Sequence, residues 1–160
     1  MKWQVAQVRP RLEKKTADLC RTQGIPHYLP LRKRTATYQR RQVTTEIPVF
    51  PGYLFVAIDA PRRLALQQTN HVVRFLDPSR PYQMLRQLVY IRRALKIDPS
   101  LRPTPMLTSG TRVRILTGPF QGIEGVVARL DASMRIYLTV EWLGQALVVQ
   151  ASREQVDAAG

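Results

Sequence analysis

Few residues in this chain have the types and spacing that chemistry requires. The only cysteine is Cys20, and the two histidines, His27 and His71, are far apart with no carboxylate cluster beside either. A zinc site needs three or four imidazole, thiolate or carboxylate ligands gathered together. The sequence gathers none, so no metal and no cofactor is expected. The five serines fall in turns, linkers or element ends without a nucleophile elbow. The turn TGPFQG (Thr117–Gly122) lacks the Lys-Ser/Thr that follows a phosphate loop. The chain therefore reads as a protein other than an enzyme. Two other stretches stand out. RKRTATYQRRQ (Arg32–Gln42) carries Arg32, Lys33, Arg34, Arg40 and Arg41 with no acid, which suits either a solvated loop or a finger touching phosphates. FPGYLFV (Phe50–Val56) sets an aromatic on each side of a Pro-Gly corner. Such residues either plug a core or offer an apolar surface to a partner.

Charge narrows the choice of partner. The formal net charge is +14, and all of it lies before Leu107, where 20 Lys/Arg face 6 Asp/Glu; from Leu107 onward five of each cancel. A field of that sign favours a polyanion such as nucleic acid, or a large acidic assembly. With 44% hydrophobic residues the chain can fold. No stretch approaches the roughly 18–20 apolar residues of a membrane span, and MKWQVAQVRP lacks the apolar core of a secretion signal. A cytoplasmic protein without membrane contact is expected. Cys20, with no disulfide partner, reads as a small buried helix residue.

The elements that must position these residues follow from periodicity. Lys2–Val8 reads as a strand, and Leu12, Thr16, Leu19 and Cys20 form one stripe of a helix over 11–23 that ends at Gly24. HYLPL is a short edge strand, and the basic stretch after it is a hairpin tip or a mobile loop. Val43–Ile47 and Gly52–Ile58 are strands. Asp59 caps a short helix, Val72–Leu76 is a strand, and 82–95 is a helix with Met84, Leu85, Leu88, Val89 and Leu95 inward. Within Tyr53–Ile58, Leu54, Val56 and Ile58 share one face and Tyr53, Phe55 and Ala57 the other. The first set is expected under the helices, leaving Tyr53 for a partner. The order β, α, β, β, β, α, β, α predicts an α+β protein with a ferredoxin-like α/β sandwich over 1–97. DPSLRPTPM (98–106), with three prolines, reads as an extended linker. Residues 107–160 then alternate with period two as four or five short strands, which predicts a small SH3-like β-barrel.

Two stretches carry a family resemblance. GTRVRILTGPFQGIEGVVARLD resembles a KOW motif. Trp3 in the opening strand, RPRLEKK leading into the first helix, and FPGYLFV resemble the N-terminal domain of NusG-type transcription elongation factors, and the Leu-Phe after Tyr53 is similar to specialised, operon-specific paralogs. The resemblance implies an elongation or antitermination factor whose N-terminal domain docks on the clamp helices of bacterial RNA polymerase, bridges the cleft over the DNA and suppresses pausing. It implies polymerase contacts at Trp3, Gln7, Phe50 and Tyr53, with Gln7 standing where close paralogs often hold an aromatic. Contact with non-template DNA is implied for Arg9, Lys14, Lys15, Arg32, Lys33, Arg34, Arg40 and Arg41. In the barrel, Phe120, Ile123, Trp142 and Leu143 are implied to meet ribosomal protein S10 or Rho, although Trp142 equally suits a barrel core. A monomer is expected. Two alternatives remain open: a general elongation factor, or a ribosomal or RNA-binding protein sharing a KOW barrel. The second would concentrate positive charge on the barrel, whereas here the charge lies before it.

Overall fold

Short runs rich in Val, Ile, Leu and Phe, separated by two amphipathic helices, build the first half of the chain. The computed structural model describes residues 1–159. In chain order the elements are β1 (Lys2–Val8), α1 (Glu13–Thr22), β2 (His27–Tyr28), β3 (Leu31–Tyr38), β4 (Arg41–Pro48), β5 (Tyr53–Ile58), α2 (Ala60–Gln67), β6 (Val72–Leu76) and α3 (Pro81–Ile97). There follow β7 (Pro103–Pro105), β8 (Thr111–Ile115), β9 (Glu124–Val127), β10 (Ser133–Val140), β11 (Gln145–Ser152) and β12 (Val156–Ala158).

The chain divides into two units, Met1–Pro30 with Pro48–Pro81, and Leu31–Ile47 with Tyr82 onward. In the first, the strands lie antiparallel in the order β2-β5-β1-β6. Without the β3–β4 segment this is a βαββαβ sandwich order, with α1 and α2 as the two helices. Leu54, Val56 and Ile58 of β5 pack in one cluster with Ala6 and Val8 of β1, Ala17 and Cys20 of α1, and Leu66 of α2. That is the inward set expected from alternation. Asp59 caps α2 as expected, its Oδ1 accepting from the Arg62 amide at 3.1 Å. Burial pushes the Cys20 thiol up to about 11, because a thiolate there would lose its water.

In the second unit six strands lie in the order β12-β8-β9-β10-β11-β7. Met134, Ile136, Leu138 and Val140 alternate inward along β10, and Val113, Ile115, Val127, Leu147 and Val149 join them as buried residues. Gly125 in β9 has no room for a side chain, since a Cβ there would collide with Ile136 and the Tyr137 carbonyl. In the stretch 98–106, read as an extended linker, Pro103–Pro105 pairs with Gln145–Leu147 as an edge strand, a position where proline's missing donor can be tolerated. Of the two readings of the basic stretch 32–42, hairpin tip or mobile loop, the first holds, and the stretch makes up most of the β3–β4 ribbon.

Candidate functional site

The corner at Phe50–Tyr53 is built by the backbone. Pro51 fixes φ and Gly52 takes φ +88°, which only glycine adopts without strain. The Val8 amide donates to the Gly52 carbonyl at 2.8 Å, and the Tyr53 amide to the Phe50 carbonyl at 3.3 Å. The Gly52 amide donates to Glu13 Oε2 at 3.0 Å. The corner is thus tied to the end of β1 and to the first turn of α1.

It sends its two aromatics to different places. Phe50 is 1% exposed and belongs to the core. This corrects the expectation that it faces a partner: a large apolar ring gains more by leaving water than an exposed corner can offer. Tyr53 is half-buried. Pairing sets Tyr53 opposite Gln7, and Gln7 opposite Arg74, so the three stand abreast on β5, β1 and β6. Gln7 Oε1 accepts from Arg74 Nε at 2.7 Å. The next row on that face, Phe55 and Val5, is fully buried. Trp3 pairs with Ala57, four residues along β1 from Gln7, about 13 Å at strand rise. Trp3 and Tyr53 therefore share a face without forming one socket. Arg74 was missed by sequence reasoning because only the β1–β6 register places it there.

The basic candidates fall in two places. Arg9, Lys14 and Lys15 are exposed around the mouth of α1, where the Arg9 Nε donates to the Asn70 carbonyl at 2.7 Å. Arg32, Lys33, Arg34, Arg40 and Arg41 lie on the ribbon. Its two-residue turn, Gln39-Arg40, has φ of 49° and 65°, the left-handed pair of a tight hairpin. The Thr35 and Thr44 hydroxyls meet at 3.1 Å, so these residues stand opposite one another. Period two then puts Arg32, Arg34, Tyr38, Arg41 and Val43 on one face. Lys33, Thr35, Thr37, Gln42, Thr44 and Glu46 share the other. One face carries three guanidinium groups beside a ring that is 69% exposed. The other holds one cation and one carboxylate. Tyr38 escaped the sequence reading because a single aromatic in a basic run has no face until the register is known.

In the second sheet, Ile123 is 1% exposed and is core, which corrects its assignment to partner binding. The Ile115 amide donates to its carbonyl at 2.9 Å, holding it under the turn. Phe120 is half-buried and lines an open groove of about 510 Å³ with Leu101, Pro103, Arg135 and Val148. Trp142 and Leu143 lie elsewhere, half-buried in the single turn Glu141–Leu143 between β10 and β11.

The turn Thr117–Gly122 is held to α3. Arg93 Nη2 donates to the Gln121 carbonyl at 2.9 Å. Nearby, Glu124 receives Arg114 at 2.7 Å, Arg86 at 3.2 Å and the Tyr90 hydroxyl at 3.2 Å. Its side chain is 10% exposed. The Arg114 hydrogen bond, aided by Tyr90 and by both guanidinium charges, holds the Glu124 carboxyl below the usual carboxylate range against the opposing effect of burial. Arg86 is raised in turn, first by its bond with Tyr90. Among the described residues no group of three His, Cys, Asp or Glu is placed to hold a metal ion, and no helix is long and apolar enough to cross a membrane.

Comparison with known proteins adds the family. The family described as "Transcription termination factor nusG" matches residues 1–92. Among solved structures, "Domain interaction in Thermotoga maritima NusG" is similar with a TM-score of 0.52 and 20% identity, over 99% of this chain and 97% of that one. "Crystal Structure of MjSpt4:Spt5 complex conformation A" is more distant, with a TM-score of 0.32 and 14% identity over 99% and 98% of the two chains. Comparison with curated proteins gave no match. With the family domain spanning more than half its length, the chain belongs to the NusG family of transcription factors.

Proposed function

We propose that the chain is an elongation factor of the antitermination type, acting on chosen operons, that binds RNA polymerase through the face carrying Tyr53. The observation that carries this reading is the row Tyr53–Gln7–Arg74. It offers an aromatic held by a rigid corner, with an amide and a guanidinium beside it. Rigid aromatics and arginines make strong interface anchors because little side-chain freedom is lost on binding. The partner is the tip of the polymerase clamp helices, with Trp3 a separate contact further along the same face. Phe50 supports the corner from beneath.

The Arg32, Arg34, Tyr38 and Arg41 face of the ribbon, with Arg40 at its tip, meets the non-template DNA. Phosphate contacts of this kind set affinity and leave sequence choice to other groups. On the first unit, Arg9, Lys14 and Lys15 offer phosphate contacts of their own. The C-terminal sheet, with five cations against five carboxylates from Leu107 onward, takes a protein partner, ribosomal protein S10 or Rho, beside Phe120 or Trp142. A nucleic-acid-binding barrel would carry the excess charge itself. The test is binding of the whole chain to bacterial RNA polymerase, intact and lacking the clamp-helix tip. The reading expects binding only to the intact enzyme.

A further inference from the structure

The Pro51–Gly52 corner has a support that is not backbone. Glu13 is the first residue of α1, a place where a carboxylate normally faces water and complements the helix dipole. Here it is 5% exposed. The chain brings it inward through a turn in which Arg11 takes φ 67° and the Leu12 amide donates to the Arg9 carbonyl at 3.1 Å. Burying a carboxylate costs free energy that only hydrogen bonding offsets. The bond it makes reaches across to the Gly52 amide at 3.0 Å. The Gly52 carbonyl is taken by the Val8 amide, whereas among the described residues its own amide has no backbone acceptor, and Pro51 has no donor to share. Glu13 therefore supplies the acceptor for the donor at the apex of the corner.

We propose that Glu13 is a positioning residue for the Tyr53 face: by accepting from Gly52 it fixes the corner that aims Tyr53, and so sets the affinity of that face for its partner. This rests on the polymerase reading above, but the positioning itself can be read without polymerase. Glu13→Gln keeps an acceptor oxygen at the same reach. Glu13→Asp keeps the charge and the helix-start preference but shortens the arm by one methylene. Glu13→Ala removes the acceptor. Amide exchange at Gly52 is measured by NMR on the full chain, with the β10–β11 amides as the folding control, alongside affinity for RNA polymerase.

In Asp and Ala variants, Gly52 is expected to exchange at least about tenfold faster, and polymerase affinity to fall about tenfold as preorganisation is lost. Gln is expected to restore both. If the Ala variant fails to fold, the Asp variant carries the test. Unchanged Gly52 exchange in the Asp variant, or a Gln variant no better than Asp, overturns the positioning role. If Gly52 responds as expected and the parent chain does not bind polymerase, the polymerase reading fails and the proposed control of affinity falls with it, while the corner's dependence on Glu13 stands.

Discussion

Two turns in this protein carry a glycine at nearly the same backbone angle, Gly52 at φ +88° and Gly122 at +87°, each flanked by large apolar residues. Both split their apolar pair, sending one residue inside (Phe50, Ile123) and leaving one half-exposed (Tyr53, Phe120). They differ in what holds them. The first is tied from within by a buried carboxylate accepting from the glycine amide. The second is tied by backbone, the Gly122 amide donating to the Ile115 carbonyl at 2.7 Å, with the Arg93 guanidinium added from outside on the Gln121 carbonyl. A buried support removes freedom from the corner at all times. An exposed arginine competes with water and is the weaker restraint. The first turn therefore takes its preset geometry in part from one buried side chain remote in sequence, whereas the second is set by its own backbone with an exposed arginine added.

The largest effect that separates inside from outside is in stability. Phe50→Ala should cost about 3–5 kcal/mol of unfolding free energy, as core aromatics do, and Tyr53→Ala only about 1 kcal/mol, as a partly exposed side chain. Denaturant unfolding of the two variants measures the contrast, and equal losses would erase the distinction between the two rings.

Next in size is the ribbon. Replacing Arg34 and Arg41 with alanine should lower the salt dependence of DNA binding by about two phosphate contacts, while Lys33→Ala on the opposite face should change it by less than one. Binding titrations over a salt series give both slopes. Equal effects per residue would mean that both faces, or neither, meet DNA.

The smallest effect concerns Glu124. Its carboxyl is held below its ordinary value in the folded chain, so it stabilises the fold above the ordinary carboxylate range, and that contribution fades as pH falls through the lowered folded value. The melting-temperature difference between the parent chain and Glu124→Gln should be constant from neutral pH down to about 4 and shrink below it. A difference that grows toward low pH would reverse the sign assigned to the Arg114 and Arg86 contacts.

Much of the first sheet was legible in the sequence because alternation and caps are local signals. Leu54, Val56 and Ile58 pointed inward as their spacing required, and Asp59 capped the helix it precedes. The ribbon was legible only in part: Val43–Ile47 read as a strand, and a hairpin tip was one of two readings of the basic stretch. The β3 strand was not, because its residues are mostly charged or small and polar, and no apolar alternation marks a strand that buries neither face. Pro103 and Pro105 suggested an extended linker rather than a strand because a proline lacks the ladder donor, yet an edge strand can tolerate that loss. For the candidate site, the sequence supplied Tyr53 and the basic residues but misplaced Phe50 and Ile123. Turn residues have no periodicity from which a side can be deduced. Arg74 and Glu13 were invisible for a related reason: each matters only through a partner far away in the chain, Gln7 and Gly52.

The most direct measurement is the affinity of the full chain for RNA polymerase, comparing the parent with Tyr53→Asp on intact enzyme and on enzyme lacking the clamp-helix tip, with thermal unfolding recorded for both proteins. A cooperative unfolding transition retained in the variant, binding reduced at least about a hundredfold, and no further loss when the tip is also removed are the predicted results. Full binding by folded Tyr53→Asp, or undiminished binding to the tipless enzyme, would contradict the account.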